Sequence, residues 1–512
     1  MKKFYIKDYA ELLEPFLLDE ENKNRQIFFL FEENSFWYAS AHEILKQKSK
    51  NDKFILIIFG NSMPRILDGT KNFVRKNQGG FFRHYNWLKY SLRRMIPSIL
   101  PSRKPSKVLI ESLADEDIIV IDLSNSKVNL SRGRTLNQAA KIKWQEITMM
   151  CLGEIYSTEY IQHYLPDKIV DKYITSAIIM EEEIARILSR IQPLVVHYLN
   201  GRTLYERITL EICQELGIKS IAYETSSSLD RYQSYEGSVA NLKPLTESMQ
   251  NLWTEYCDDL GEQAAIEIGK KFFEDRIRDP RSNSFLLQMN EDSNISKEEN
   301  ELTYTFFTSS SEEMYAIYSL FNIDPPDQER LILNLIELFE SDLSERRKLV
   351  IRVHPNLRSK RDKDREFYDS LKDSKNVKIF AYNSGINSYQ LAACSDFVLT
   401  TVSTIGLEAA FLRVPTFCFG KTFWSGLELT TCLNSVLELF DAVPVNTEYA
   451  YQEAIKAGLF YQEYGEKYRF TNMKQLMDFS GNYIFDPLRW FLRRLHLNNL
   501  GIVQTSGLRT KK

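Results

Sequence analysis

Cysteine is scarce in this chain, with six in 512 residues and no Cys-x-x-Cys pair among them. Ligands this scattered supply neither a disulfide framework nor a zinc cluster, so reduced and mostly buried thiols are expected. Long apolar runs are missing too. Stretches such as 54–59 fall far short of the roughly 20 residues that cross a bilayer, and a mean hydropathy of -0.34 excludes a membrane-embedded bundle. The start Met1-Lys2-Lys3 is that of a signal peptide, but Lys7, Asp8 and Glu11 interrupt any apolar core, so export is not expected. Gly-x-Gly-x-x-Gly, Gly-x4-Gly-Lys-Ser/Thr and Gly-x-Ser-x-Gly are all absent. Dinucleotide oxidoreductases, P-loop ATPases and serine hydrolases with a nucleophile elbow thereby lose their main support. The net charge of -4 argues against wholesale nucleic-acid binding.

The composition is that of a globular protein, 43% hydrophobic and 26% charged, and the length calls for two cores. Short β-rich runs alternate with helical stretches: 26–31, a helix over 39–48, then 54–59 and 117–123. After a helical region over 174–190 come a buried strand at 193–198, the loop Asn200-Gly201-Arg202, a helix over 204–216 closed by Gly217, and a strand at 220–223. This is a βαβ unit. Residues 279–300 have linker composition, and the alternation then restarts, with strands at 302–307, 348–353, 377–380, 397–400 and 416–419. The order predicts a second doubly wound sheet.

Two segments of the second half carry chemistry. The first runs from a buried strand into His354-Pro355-Asn356, which places an imidazole at the carboxyl end of a strand, where open α/β sheets bind ligands. It can donate to a phosphate oxygen or, if protonated, offset charge on a departing nucleotide; a histidine that only caps a strand fits the same pattern. The second is Thr400-Thr401-Val402-Ser403-Thr404-Ile405-Gly406-Leu407-Glu408, a strand opening into a helix. Its first backbone N–H groups favour an anion, with Ser403 or Thr404 as cap, Gly406 permitting close approach and Glu408 placed for ribose hydroxyls. An ordinary N-cap and a first-turn acid account for Ser403 and Glu408 equally well. No Asp-x-Asp ends a strand of the second domain, so no metal is expected.

The chain resembles the bacterial capsular-polysaccharide and lipopolysaccharide glycosyltransferases of the GT-B class, the group that includes the Kdo transferases. The resemblance rests on Arg352-Val353-His354-Pro355-Asn356, Asn387-Ser388-Tyr389-Gln390-Leu391 and Ser403-Thr404-Ile405-Gly406-Leu407-Glu408-Ala409. It extends to Tyr198-Leu199-Asn200-Gly201-Arg202, Tyr223-Glu224 and Thr308-Ser309-Ser310, and so covers about residues 190–430. It implies an α/β fold of two Rossmann-like domains facing a cleft, with C-terminal helices. His354, Ser403 and Thr404 would bind the donor nucleotide's phosphate, Glu408 would lie near the ribose, and Asn200, Arg202, Ser309 and Ser310 would face the cleft. The expected division is 1–285 on the acceptor side, a linker at 286–301, a nucleotide-sugar domain at 302–445, and helices over 446–512 that pack back on the first domain.

An inverting transfer needs a carboxylate base on the acceptor side, and Glu224 is the first candidate, Asp230 the second. Where the group continues with glycines after Glu224, this chain has Thr225-Ser226-Ser227-Ser228, which leaves the acceptor side open. The expected activity is transfer of a sugar from a nucleotide-activated donor to a growing polysaccharide or lipid-linked oligosaccharide, without cofactor or metal. A CDP-alcohol phosphotransferase of the teichoic-acid type and a non-catalytic GT-B scaffold are the alternatives. Residues 61–107 carry eleven Lys or Arg against one acid, with Leu88, Leu92, Met95 and Ile99 at helical spacing, and residues 488–495 repeat the pattern. Such basic amphipathic stretches suit an anionic inner-membrane surface, so a cytoplasmic protein peripheral to that membrane is expected. Packing of both apolar stripes on the protein core is the other reading.

Overall fold

The computed structural model describes residues 3–4, 25–31, 35–59, 109–110, 113, 116, 118–123, 138–156, 158, 160–226, 230–239, 242–278, 300–311, 314–315, 318, 325–344, 346–360, 362–422 and 424–470. They form two compact units, one from 1–148, 165–239 and 465–512, the other from 149–164 and 240–464. The basic amphipathic stretches at 61–107 and 488–495 lie outside the described residues. No helix among the described residues is long and apolar enough to cross a membrane.

Each unit is built on one sheet. In the first unit, strands β1 (Lys3–Phe4), β2 (Gln26–Leu30), β3 (Phe54–Ile58), β4 (Ile118–Asp122), β5 (Val196–Leu199) and β6 (Ser220–Thr225) run parallel in the order β1-β4-β3-β2-β5-β6. β7 (Arg231–Glu236) is added antiparallel to β6. All five residues of β3, Phe-Ile-Leu-Ile-Ile, are fully buried, which is the continuous apolar run of a parallel strand covered on both faces. Each such side chain contributes roughly 1.5–3 kcal/mol on burial. Among the helices of this unit are α1 (Ser35–Lys48), α3 (Asp167–Ile191) and α4 (Leu204–Leu216), with α2 (Gln138–Tyr156) before α3 belonging to this unit as far as residue 148. Trp144 of α2 is fully buried, and its Nε1–H donates to Glu181 of α3 at 2.7 Å. Gly217 closes α4 in the left-handed region at φ 66°, as the sequence predicts.

In the second unit β8 (Leu302–Phe307), β9 (Arg347–Arg352), β10 (Val377–Phe380), β11 (Phe397–Thr400), β12 (Thr416–Cys418) and β13 (Thr431–Cys432) are all parallel, in the order β10-β9-β8-β11-β12-β13. The doubly wound expectation holds here in full. Its helices include α5 (Leu242–Leu260), α6 (Glu262–Arg278), α7 (Gln328–Glu340), α8 (Asp362–Ser370), α9 (Ser388–Ala393), α10 (Ile405–Phe411) and α11 (Thr447–Glu463).

The division expected at 285 is corrected. Helices α5 and α6 precede the linker but belong to the second unit, because α6 packs on α10 and α11. Phe273 stacks on Phe411 with centroids 4.6 Å apart, and Gly269 of α6 faces Gly458 and Ile455 of α11. The unit boundary falls where the packing partner changes, and the linker expected at 286–301 lies, up to 299, outside the described residues. Residues 149–164 join this unit as well, and there the Tyr160 hydroxyl donates to Glu329 and the Tyr164 hydroxyl accepts from the Lys363 N–H. The C-terminal stretch is divided as well. α11 belongs to the second unit, whereas β14 (Glu466–Lys467) pairs antiparallel with β7 in the first.

Candidate functional site

Where the direction of winding of an open α/β sheet reverses, a crevice forms outside the carboxyl ends of the two strands that flank the reversal. In the second unit the reversal lies between β8 and β11. Thr308, Ser309 and Ser310 leave β8 there, Thr401 to Thr404 leave β11, and His354 leaves the adjacent β9. The polar residues of both chemistry-bearing segments and of the Thr-Ser-Ser turn thus share one end of one sheet.

Their bonds hold them together. The hydroxyls of Ser309 and Thr401 lie 2.7 Å apart, the Thr308 hydroxyl accepts from the His354 backbone N–H at 2.9 Å, and the Val402 N–H points at the Ser309 Oγ at 3.4 Å. Gln328, at the start of α7 and buried, ties the turn to that helix: its Oε1 accepts from the Ser309 N–H at 2.7 Å, and its Nε2 donates to the Ser309 carbonyl at 3.0 Å and to Tyr368 at 2.9 Å. Sequence reading missed Gln328. Its one signal is a position just after Pro325-Pro326-Asp327, a helix start with Asp327 as N-cap.

His354 is half-buried, and its Nδ1 accepts from the Asn356 N–H at 3.2 Å. That bond puts the ring proton on Nε2, so the imidazole is neutral and presents one N–H donor. Burial and the neighbouring Arg352 guanidinium lower its pKa to about 4, so the neutral ring is the form present near pH 7. Arg352 itself is buried and donates to the carbonyls of Val353, Ala381 and Ile386, which fastens the loop after β10. Asn387 caps α9, its Oδ1 accepting from the N–H groups of Tyr389 and Gln390. These two members of the sequence pattern therefore shape the loops around the site.

At α10 the structure departs from the picture of a ligand-facing first turn. Ser403 is half-buried and accepts a long bond from Ile405 N–H at 3.4 Å; Thr404 is exposed. Gly406 backs onto a side chain: a Cβ there would stand 3.0 Å from the fully buried Trp424 ring. Glu408 is only 2% exposed, turned inward toward Arg276 of α6 at 3.9 Å, with its Oε2 unbonded. Glu408 is thus packed toward α6 in this structure. The Ser310 Oγ is likewise buried and without a hydrogen-bond partner, in the turn that leaves β8.

Desolvation raises the Glu408 pKa to about 7, with Arg276 opposing it. A carboxyl whose folded pKa is raised contributes stability that is complete below its unfolded value, near 4.5, and lost as pH rises through about 7. Glu408→Gln removes that contribution. The melting temperature of Glu408→Gln relative to wild type should therefore climb between pH 4.5 and 7 and level off above. A constant difference across that window contradicts the assignment.

In the first unit the reversal lies between β2 and β5, and Asn200 and Arg202 follow β5 directly. Asn200 and Gly201 both take left-handed backbone, φ 66° and 83°, which turns the chain sharply and brings the Asn200 side chain back over the strand end. Its Nδ2 donates to Glu224 at 2.6 Å, and its Oδ1 accepts from the Arg202 N–H at 3.0 Å and Nε at 3.1 Å. The second Glu224 oxygen accepts from Thr225 N–H at 3.0 Å. Asn200, Arg202 and Glu224 are thus one cluster at the end of β5 and β6, with the carboxylate held by two donors. Asp230 lies apart from it, exposed at the start of β7, and its carbonyl accepts from the Tyr468 N–H.

Residues 318–454 match the capsule polysaccharide biosynthesis protein family. The match spans 454 − 318 + 1 = 137 of 512 residues, all in the second unit, and takes in His354, Ser403, Thr404, Gly406 and Glu408. A comparison with curated protein sequences gives no match. Among solved structures, the chain aligns with Thermosulfurimonas dismutans KpsC, beta Kdo 2,4 transferase, at 13% identity over 52% of this chain and 80% of that one, with a TM-score of 0.33. It aligns with Methanocaldococcus jannaschii UDP-GlcNAc 2-epimerase in complex with UDP-GlcNAc and UDP at 14% identity, over 88% and 96%, with a TM-score of 0.27. Scores this low carry no argument about the chemistry of this chain. The family match does bear on the resemblance read from the His-Pro and Ser-Thr segments: both lie within the matched residues.

Proposed function

We propose that the chain is a glycosyltransferase of capsule assembly that takes a nucleotide-activated sugar as donor and needs no metal. One observation carries the reading: the capsule-family match falls on the unit whose switch point gathers His354, Ser309, Ser310 and Thr401 at the ends of three neighbouring strands. A neutral imidazole N–H and an unsatisfied hydroxyl are donors suited to the phosphate of a nucleotide. In this reading His354 and Ser310 hold the phosphate that departs with the nucleotide, with Ser403 and Thr404 beside them. Donors fixed before reaction act where negative charge grows in the transition state and need no reorganisation to do so.

The Asn200, Arg202 and Glu224 cluster is the acceptor-side counterpart. Glu224 is the base if the transfer inverts the anomeric centre, and Asn200 and Arg202 position it. The acceptor is a growing polysaccharide or lipid-linked oligosaccharide.

Thermal unfolding in the presence of CMP, CDP, UDP and GDP tests the donor side. A ligand at a hundred times its dissociation constant adds about 2.7 kcal/mol to the native state. One of the four should raise the melting temperature in EDTA as fully as in magnesium. If none does, the donor reading fails; if the rise needs magnesium, the metal-free part fails. Transfer of glycerol phosphate in place of a sugar would select the phosphotransferase.

The same proposal places the protein on the cytoplasmic face of the membrane through residues 61–107 and 488–495. Each basic residue near an anionic leaflet is worth about 1 kcal/mol. Sedimentation with anionic vesicles should be strong at low salt and weak at high salt. Binding that ignores both lipid charge and salt would contradict an electrostatic anchor.

A further inference from the structure

Of the six cysteines, all within the described residues, Cys151, Cys213 and Cys418 are buried, Cys257 and Cys394 half-buried, and Cys432 exposed. Two of them are neighbours. Cys418 ends β12 and Cys432 ends β13, and the parallel register pairs the one directly with the other. In-register residues of adjacent strands point their side chains to the same face, about 4.8 Å apart along the hydrogen-bonding direction. That separation lies within the Cα span of 4.4–6.8 Å that a disulfide accepts.

The two thiols differ in a way that suits exchange. Cys432 is exposed, and the neighbouring Cys418 thiol holds its pKa at about 7, below the ordinary thiol value. Cys418 is buried and remains a thiol, its own pKa raised by Cys432 beside it and by desolvation. Cys213, by contrast, is pushed up to about 12 by burial alone. An accessible thiolate with a second sulfur beside it is the arrangement in which oxidation ends in a disulfide and goes no further.

Cys418 is also connected to the switch point. Its Sγ–H donates to the carbonyl of Thr401 at 2.8 Å and lies 3.2 Å from that of Gly420. The Thr401 hydroxyl in turn meets Ser309. β13 is the edge strand of its sheet and only two residues long, so little structure resists its movement toward Cys418.

We propose that Cys418 and Cys432 are a reversible dithiol–disulfide pair, a redox modification site that acts on the β8/β11 crevice through Thr401. With a peroxide as oxidant, the Cys432 thiolate attacks one peroxide oxygen; the O–O bond breaks, and the departing hydroxide takes a proton to leave as water. The resulting sulfenic acid is attacked by the Cys418 sulfur, which gives up its proton; the S–S bond forms, the S–O bond breaks, and a second water leaves. Two thiols are oxidised by two electrons in all and one peroxide is reduced to two waters. A small dithiol reverses the bond by exchange. The disulfide removes the S–H that bonds the Thr401 carbonyl, and so loosens the residue that holds Ser309.

The test treats the full chain with hydrogen peroxide, blocks remaining thiols with iodoacetamide and maps the peptides by mass spectrometry. The expected product has lost two hydrogens, joins the peptides of Cys418 and Cys432, and returns to the reduced mass with dithiothreitol. Cys432→Ser should form no such link. Conversion of Cys432 to its sulfinic acid without a link, or links that involve other cysteines instead, would overturn the pair. In a second arm, the dissociation constant of whichever nucleotide the thermal screen selects is compared before and after oxidation, with a rise on the order of tenfold expected in wild type and none in Cys432→Ser. Equal affinity of the reduced and linked forms would overturn the coupling to Thr401. The mapping uses no substrate, so a failure of the glycosyltransferase reading leaves its outcome untouched.

Discussion

Replacing His354 by alanine should lower sugar transfer by on the order of a hundredfold while the protein stays folded. That is the scale of losing one fixed donor to developing charge. The ring is half-buried and contributes one side-chain acceptor, to Asn356 N–H, so its loss leaves the β9 core of Leu349, Ile351 and Val353 in place. The fall should appear in kcat more than in KM, because the donor acts on charge that grows only in the transition state. Since the imidazole titrates near 4, the pH profile of transfer should have no inflection near 6.5 that His354→Ala abolishes. A folded alanine variant with full activity would remove His354 from the chemistry. An inflection near 6.5 that vanishes in the variant would show that the ring works as a cation.

The second large effect concerns stability. Gly269→Ala should destabilise the second unit by on the order of 3 kcal/mol, the upper end of what one forced methyl costs in a packed interior. A Cβ at Gly269 would stand 2.3 Å from the Ile455 carbonyl oxygen, and one at Gly458 would stand 2.3 Å from the Gly269 carbonyl oxygen. In both cases the obstacle is backbone, which cannot rotate away as a side chain can. Calorimetry should show the melting temperature lowered by roughly 6–12 °C at 2–4 °C per kcal/mol. A shift below one degree would mean that α6 and α11 do not cross as closely as described.

Both residues illustrate what could be read from sequence and what could not. Strand β3 and the unit from β5 through α4 to β6 were legible because a parallel strand buried on both faces is a bare apolar run and Gly217 closes its helix with a left-handed turn. β7 was not. Its sequence, Arg-Tyr-Gln-Ser-Tyr-Glu, is polar at four of six positions and is a strand only because β6 offers it an edge. His354 was legible from the apolar run before it and Pro355 after it, but its charge state depends on Arg352 and on the Asn356 N–H. Glu408 was singled out as a first-turn acid, yet its burial is decided by Arg276, which reaches it from α6, 132 residues earlier by 408 − 276. Gln328 and Gly269 owe their roles to partners distant in sequence, and nothing local marks them. The division at 285 failed for a related reason, since polar composition records solvation and is silent about which sheet a helix covers.

The interleaving of the two units bears on the order in which they can be completed during synthesis. The first unit takes its last described strand, β14, from beyond residue 464, after all of 240–464 has been made. Those 464 − 240 + 1 = 225 residues need on the order of 11–45 s at about 5–20 residues per second. Throughout that interval the outer side of β7 presents unpaired N–H and C=O groups, a template for any other extended chain. When residues 466–467 arrive they pair with Tyr232 and Arg231 at one end of this edge, and Arg469 and Phe470 then donate their N–H groups to the buried Glu43 carboxylate. Among the described residues this pairing is therefore the last that the first sheet gains, and a ribosome stalled within the second unit leaves a first unit whose β7 still lacks it.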